Sequence, residues 1–78
     1  MADLEAAARK LRAAEAGVTR AQERAARIVA DARDKVEQAR TELADAIRDA
    51  DQAGVRQVDI VAATGYSRER VRQIVREG

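Results

Sequence analysis

Apolar residues recur at alternating steps of three and four along the first half of the chain. The series begins Leu4, Ala7, Leu11, Ala14, Val18, Ala21, Ala25 and Ile28. This spacing is the heptad seam of a two-stranded coiled coil. After Ile28 the seam takes an additional step of four before the heptad resumes, and such a stutter locally unwinds a left-handed supercoil. The seam positions expected at a dimer interface are Leu4, Leu11, Val18, Ala25, Ile28, Ala32, Val36 and Ala39.

The same stretch has the composition of one long helix. From residue 2 to about residue 50 nearly every residue is a good helix former, with no proline and a single glycine, so summed propensity favours a continuous helix. Residues 1–52 are therefore predicted to form a long dimerisation helix. The alternative is a break at Gly17, because Thr19 and Gln22 have the spacing of a capping box, and residues 3–15 would then fold back as a short arm.

The remaining residues, 53–78, have the pattern of a helix-turn-helix. Gly54 suits the left-handed end of the long helix. Residues 57–64 are predicted to form a short helix, residues 65–67 a turn, and residues 68 to about 76 a second short helix. Gly65 can adopt the positive φ that a sharp turn needs, and Ser67 can cap the second helix.

Two short helices do not enclose a core, so the end of the long helix is predicted to complete the head. Ile60, Val61, Val71 and Ile74 are spaced to face one another across the turn. The long helix would contribute Leu43, Ile47 and Ala50, and these would pack on Val55, Val58, Val61, Val71, Ile74 and Val75. The predicted fold is all-α: a long N-terminal coiled-coil helix running into a C-terminal three-helix helix-turn-helix head.

Basic residues concentrate in the predicted second helix. The chain has a formal net charge of only +1, but a polyanion responds to the local density of charge. The candidate DNA-binding residues are Arg56, Ser67, Arg68, Glu69, Arg70, Arg72, Gln73 and Arg76. Arg68 and Arg72 suit guanine edges, Glu69 suits a cytosine amino group and Gln73 suits adenine. The phosphate contacts would come from Arg56, Arg70 and Arg76.

At these residues the chain resembles bacterial helix-turn-helix proteins. Residues 67–74, with the sequence SRERVRQI, are similar to the recognition helix of region 4 in primary-type sigma factors, and the resemblance covers about 20 residues. It implies a promoter-contacting helix with Arg68, Glu69, Arg72 and Gln73 towards the bases. The chain departs from that family at two positions: most members have a smaller residue than Val61 and a capping Ser or Thr in place of Arg56.

Composition argues against most other functions. The chain contains no cysteine, no histidine and one aromatic residue, so the usual zinc ligands and the Cys/His nucleophiles are missing and an enzyme is not expected. Asp45, Asp49 and Asp51 lie close together in sequence, but they lack the loop and glycine of a calcium motif. We expect no metal and no cofactor. With neither a signal peptide nor an apolar run of membrane-spanning length, we expect a cytoplasmic bacterial protein without membrane contact, associated with the nucleoid when bound to DNA.

The predicted function is sequence-specific binding of double-stranded DNA by a homodimer that acts as a small transcriptional regulator. Three alternatives remain. If the helices pair antiparallel, the heads lie at opposite ends of a rod of about 70 Å and the protein could bridge duplexes as an architectural or segregation protein. A coiled-coil adaptor could instead bind an acidic protein such as RNA polymerase. Finally, the two short helices could be a hairpin that only packs on the coiled coil. The alanine-rich seam permits both a parallel and an antiparallel dimer.

Overall fold

The computed structural model describes all residues from Met1 to Gly78 and contains three helices and no strand. Helix α1 spans Ala2–Gln52, α2 spans Gln57–Thr64 and α3 spans Arg68–Glu77. The predicted all-α fold, with one long N-terminal helix followed by two short ones, is confirmed. No helix combines the length and the apolar character that crossing a membrane requires.

Helix α1 continues through Gly17, so the alternative of a break at this residue is wrong. A glycine in a helix interior costs about 1 kcal/mol relative to alanine, and the strong helix formers on both sides outweigh this cost. Thr19 does not act as a cap. Its hydroxyl donates instead to the carbonyl of Glu15 one turn earlier, at 3.5 Å, which is the arrangement typical of threonine inside a helix.

A Schellman motif centred on Gly54 ends α1. Gly54 has a φ of +86°, its N–H donates to the carbonyl of Asp51, and the N–H of Val55 donates to the carbonyl of Ala50 at 3.0 Å. These two bonds satisfy carbonyls that the end of a helix otherwise leaves free. The predicted left-handed end of the long helix is confirmed.

The chain divides into two units, Met1–Lys35 and Val36–Gly78. In Met1–Lys35, which is entirely part of α1 after its first residue, no side chain is buried. The second unit contains the hydrophobic core, formed by Ile47 of α1, Ile60 of α2, and Val71 and Ile74 of α3. Leu43, Ala44, Ala50, Val61, Tyr66 and Val75 pack against this core and are partly buried.

The prediction that Val55 and Val58 join the core is wrong. Val55 is 42% exposed and Val58 is 51% exposed. Val55 lies in the connection before α2, and Val58 lies two residues before Ile60. Residues two apart on a helix point to different sides, so burying Ile60 turns Val58 to solvent.

Candidate nucleic-acid interface

The turn between α2 and α3 has the geometry that its sequence predicts. Gly65 has a φ of +73°, and its N–H donates to the carbonyl of Val61 at 2.9 Å. Ser67 has extended backbone angles, and its hydroxyl oxygen accepts a hydrogen bond from the N–H of Arg70 at 3.1 Å. The left-handed glycine and the serine cap are both confirmed. They end one helix and start the next within three residues.

Thr64 has a role in this turn that the sequence analysis missed. Its hydroxyl donates to the carbonyl of Ile60 at 2.8 Å and accepts from the N–H of Tyr66 at 3.2 Å. The hydroxyl thus links the last turn of α2 to the residue after the glycine. A threonine immediately before a turn glycine is the only sequence signal of this role.

Helix α3 is buried along one side and exposed along the other. Val71 is completely buried and Ile74 is 5% exposed, and both belong to the core. The opposite side consists of the four predicted base-contacting residues and the predicted phosphate-contacting Arg76, all of which are exposed: Arg68, Glu69, Arg72, Gln73 and Arg76. The structure therefore brings these five residues together on one accessible surface, which we call the α3 face.

Ion pairs within the α3 face hold two of its three arginines close to Glu69. The guanidinium of Arg72 lies 3.1 Å from one carboxylate oxygen of Glu69, and that of Arg76 lies 3.9 Å from the other. All three side chains are more than half exposed. Exposed pairs of this kind contribute little to stability, so both arginines remain available to an anionic ligand.

Of the predicted phosphate-contacting arginines, Arg70 belongs to the first turn of α3 and Arg56 immediately precedes α2. The guanidinium of Arg70 lies over the ring of Tyr66, 5.7 Å from its centroid, within the range of a cation–π contact. Arg56 precedes α2 and does not cap it through its side chain. Its Nε instead lies 3.4 Å from a carboxylate oxygen of Asp59.

A further arginine, Arg40 of α1, lies close to this turn. An open cleft beside the turn is lined by Glu37, Arg40, Thr41, Ala44, Gly65, Tyr66, Ser67 and Arg70. Two guanidinium groups, Arg40 and Arg70, therefore border the same cleft. Sequence reasoning missed Arg40 because it is separated from the turn by 25 residues and belongs to a stretch with no excess of basic residues.

Arg48 fixes the far end of α3. Its Nε donates to the carbonyl of Ile74 at 3.0 Å, and its Nη1 lies 3.1 Å from the carboxylate of Asp45. The carbonyls of the last turn of a helix carry partial negative charge and lack helical partners, so a half-buried guanidinium is stabilising there. The contact ties α3 to α1 across 26 residues of sequence. A lone arginine in a long helix gives no sequence signal of such a role.

The predicted dimer-interface residues lie along α1 and are all exposed: Leu4, Leu11, Val18, Ala25, Ile28, Ala32, Val36 and Ala39. The larger of them are 50% to 69% exposed. Val29, which the prediction did not include, is 47% exposed beside them. This row of apolar side chains is called the seam below.

No known protein family, curated protein or solved structure matches this chain.

Proposed function

We propose that this protein is a homodimeric, sequence-specific double-stranded DNA-binding protein that acts as a transcriptional regulator. One observation carries the proposal. Val71 and Ile74 fix one side of α3 in the core, while the α3 face presents three arginines, a glutamine and a glutamate to solvent. These are the residue types that hydrogen-bond to base edges and phosphates.

In the proposed complex α3 enters the major groove. Arg68 and Arg72 donate to the O6 and N7 acceptors of guanine, Gln73 pairs with adenine, and Glu69 accepts from a cytosine amino group. The core contacts of Val71 and Ile74 set which side of the helix faces the bases. A rigidly held helix loses little entropy on binding, which supports a defined base preference.

Arginines around α3 would hold the DNA backbone. Arg70, Arg76 and Arg56 are the predicted phosphate contacts, and Arg40 joins them because it borders the same cleft as Arg70. Phosphate contacts set the position of a protein on the duplex but do not read its sequence. They make the affinity depend steeply on salt, with a slope of about −0.9 per phosphate neutralised in a plot of log K against log salt concentration.

Dimerisation gives the protein two copies of the head. A unit with a four-residue buried core presents one short helix to DNA, and such heads usually act in pairs. The seam of α1 supports pairing, since Leu4, Leu11 and Val18 repeat at heptad spacing and are exposed in the single chain.

The test is selection of bound sites from random double-stranded DNA, followed by titration of the selected site with salt. We expect enrichment of a defined motif that survives competition with random duplex, together with steep weakening as salt rises. A chain with Arg68, Arg72 and Gln73 all changed to alanine is the matched variant, and it should enrich nothing. If the natural protein also enriches no motif, the proposal is wrong. Binding to an acidic protein without any DNA footprint would favour the adaptor instead.

A further inference from the structure

An open apolar groove lies between α1 and α2 in the unit Val36–Gly78. Its lining consists of Leu43, Ala46, Ile47, Ala50, Val55, Asp59, Ile60, Ala63 and Thr64. Asp59 is the one charged residue among them. Val55 at the groove is 42% exposed, although it is an aliphatic residue next to the core.

The groove continues the seam of α1. Leu43, Ala46 and Ala50 line the groove, and they follow Val36 and Ala39 at the same alternation of three and four. A helix that packs along the seam at Val36 and Ala39 therefore runs directly into the groove. Its occupant is expected to be the helix that covers the seam.

The seam has the same spacing when read from either end. Before the stutter one series of apolar residues repeats every seven positions: Leu4, Leu11, Val18 and Ala25. After the stutter a second series has the same spacing: Val29, Val36, Leu43 and Ala50. In an antiparallel pair the first series of one copy meets the second series of the other. Leu11 then lies near Leu43 and Val18 near Val36, while Leu4 lies near the small residue Ala50. A parallel pair also matches like residues, so the apolar pattern permits both directions.

Charge favours the antiparallel direction. Residues 4–12 contain three basic residues and one acidic residue, whereas residues 42–51 contain four acidic residues and one basic residue. A parallel dimer places each of these segments against its own copy, and like charges repel. An antiparallel dimer places the basic segment of each copy against the acidic segment of the other. It also brings positive charge to Asp45, Asp49 and Asp51, which lie where the α1 dipole is unfavourable for acids.

Lys10 and Glu42 are the clearest members of these two segments. Lys10 immediately precedes Leu11 of the seam, and Glu42 immediately precedes Leu43 of the groove that continues the seam, so both flank this apolar row on the same side. Neither forms an ion pair within the chain, where the salt bridges involve other residues. Both charges are available to a second copy.

We propose that a second copy of this chain occupies the groove in an antiparallel dimer. Residues 4–12 of each copy lie against residues 42–51 of the other, with Leu4 and Leu11 of the second copy at the apolar groove and Lys10 near Glu42. The inference rests on the homodimer in the proposed function and does not depend on DNA binding. It places the two heads at opposite ends of the paired α1 helices.

Energy transfer between labelled copies tests the direction of pairing. The chain has no cysteine, so Ala6→Cys and Gln52→Cys each create a single labelling position outside the seam. Chains labelled with the donor at residue 6, mixed with chains labelled with the acceptor at residue 52, should show efficient energy transfer. Donor and acceptor both at residue 6 should give transfer close to that of an unpaired control. The reverse pattern would mean a parallel dimer and would overturn the inference, as would a chain that stays monomeric.

Charge reversal provides a second, independent test. Lys10→Glu alone and Glu42→Lys alone should each raise the dissociation constant of the dimer about tenfold at low salt, because each dimer contains two such pairs. Both changes in one chain should return the dissociation constant to that of the natural dimer. Arg20→Glu, on the opposite side of α1 from the seam, is the control and should have a much smaller effect. Single reversals that leave the dimer unchanged would overturn the inference.

These outcomes are separate from those of the proposed function. A parallel dimer that still selects a DNA motif would overturn the antiparallel pairing alone. An antiparallel dimer that shows no preference for any duplex would overturn the DNA-binding function alone.

Discussion

Glu69 is the acid in the middle of an otherwise basic surface. Its two carboxylate oxygens lie near the guanidinium groups of Arg72 and Arg76, and it is two residues from buried Val71, on the opposite side of α3. In the proposed complex these arginines must exchange Glu69 for bases or phosphates. A carboxylate next to a phosphate is repelled unless it meets a donor such as a cytosine amino group. In the proposed complex Glu69 would therefore weaken binding to incorrect sequences.

Removing the carboxylate of Glu69 should raise the affinity for DNA and lower the sequence specificity. We expect Glu69→Gln to bind random duplex more tightly than the natural chain and to discriminate less between the selected site and random DNA. The measurement is the ratio of the two dissociation constants at one salt concentration. Glu77→Gln, which removes an acid of the same helix away from the face centre, is the matched control. An unchanged ratio for Glu69→Gln would mean that this carboxylate reads no base.

Arg72 is the arginine expected to matter most for base recognition. Arg72→Ala should cost about 1–3 kcal/mol of binding free energy and relax the preference at one base position. Arg20→Ala removes the same charge from α1 and should leave affinity for the selected site nearly unchanged. Competition binding against sites that vary at single positions would measure both effects. Uniform weakening across all sequences would instead assign Arg72 to a phosphate.

At the scale of elements, α3 is positioned by contacts at both of its ends. The hydroxyl of Ser67 accepts from the N–H of Arg70 at the start, and Arg48 donates to the carbonyl of Ile74 near the end. Between them Val71 and Ile74 are buried. The position of α3 thus depends on α1 as well as on the turn.

Loss of the serine cap should loosen the start of α3. Ser67→Ala is expected to lower the free energy of unfolding by about 1 kcal/mol, while Ser67→Thr keeps a capping hydroxyl and should lose less. Tyr66 is the only aromatic residue and adjoins the cap, so its fluorescence during urea unfolding reports on this unit. Equal stability of the alanine and threonine variants would show that the cap contributes nothing.

Gly17 and Gly54 should respond in opposite ways to the same substitution. Gly17 is inside α1, and a Cβ added there meets no atom within 4 Å, so Gly17→Ala should stabilise the helix by about 1 kcal/mol. Gly54→Ala should destabilise it by about 1–2 kcal/mol, because Gly54 has a φ of +86° that L-residues adopt at a cost. Thermal unfolding followed by far-ultraviolet circular dichroism would measure both. A loss of stability in Gly17→Ala would mean that a second copy approaches this glycine closely.

At the scale of the whole molecule, the direction of pairing in the proposed dimer would decide how the two heads reach DNA. If the α1 helices pair antiparallel, the two α3 faces belong to opposite ends of the dimer and cannot reach adjacent half-sites in successive turns of one major groove.

The DNA sites should reflect this arrangement. Selection from random duplex is expected to yield a single short motif rather than two motifs spaced by one helical turn. One dimer should also join two duplexes that each carry the motif, as measured by capture of a free duplex on an immobilised one. The double charge-reversal variant, Lys10→Glu with Glu42→Lys, should retain this capture. Recovery of adjacent inverted half-sites would contradict the prediction.

Much of the fold follows from local sequence. The ends of α1 and α2 were predictable because Gly54 and Gly65 supply left-handed residues where helix-forming runs stop, and the start of α3 because Ser67 is a strong cap. The continuity of α1 followed from summed propensity, which outweighs one glycine. These features depend on neighbours within a turn or two, so the sequence by itself determined them.

Only the tertiary structure decided which valines are buried and which distant residues support the candidate site. Val55 and Val58 are as apolar as Val71, but Val55 lies in the connection before α2, and the burial of Ile60 in the core turns Val58 to solvent. The roles of Arg40 and Arg48 likewise required α1 to be placed against the turn and the end of α3. Apolar periodicity predicts which side of a helix is to be covered. Which apolar residues are buried in the core depends on how the three helices pack together.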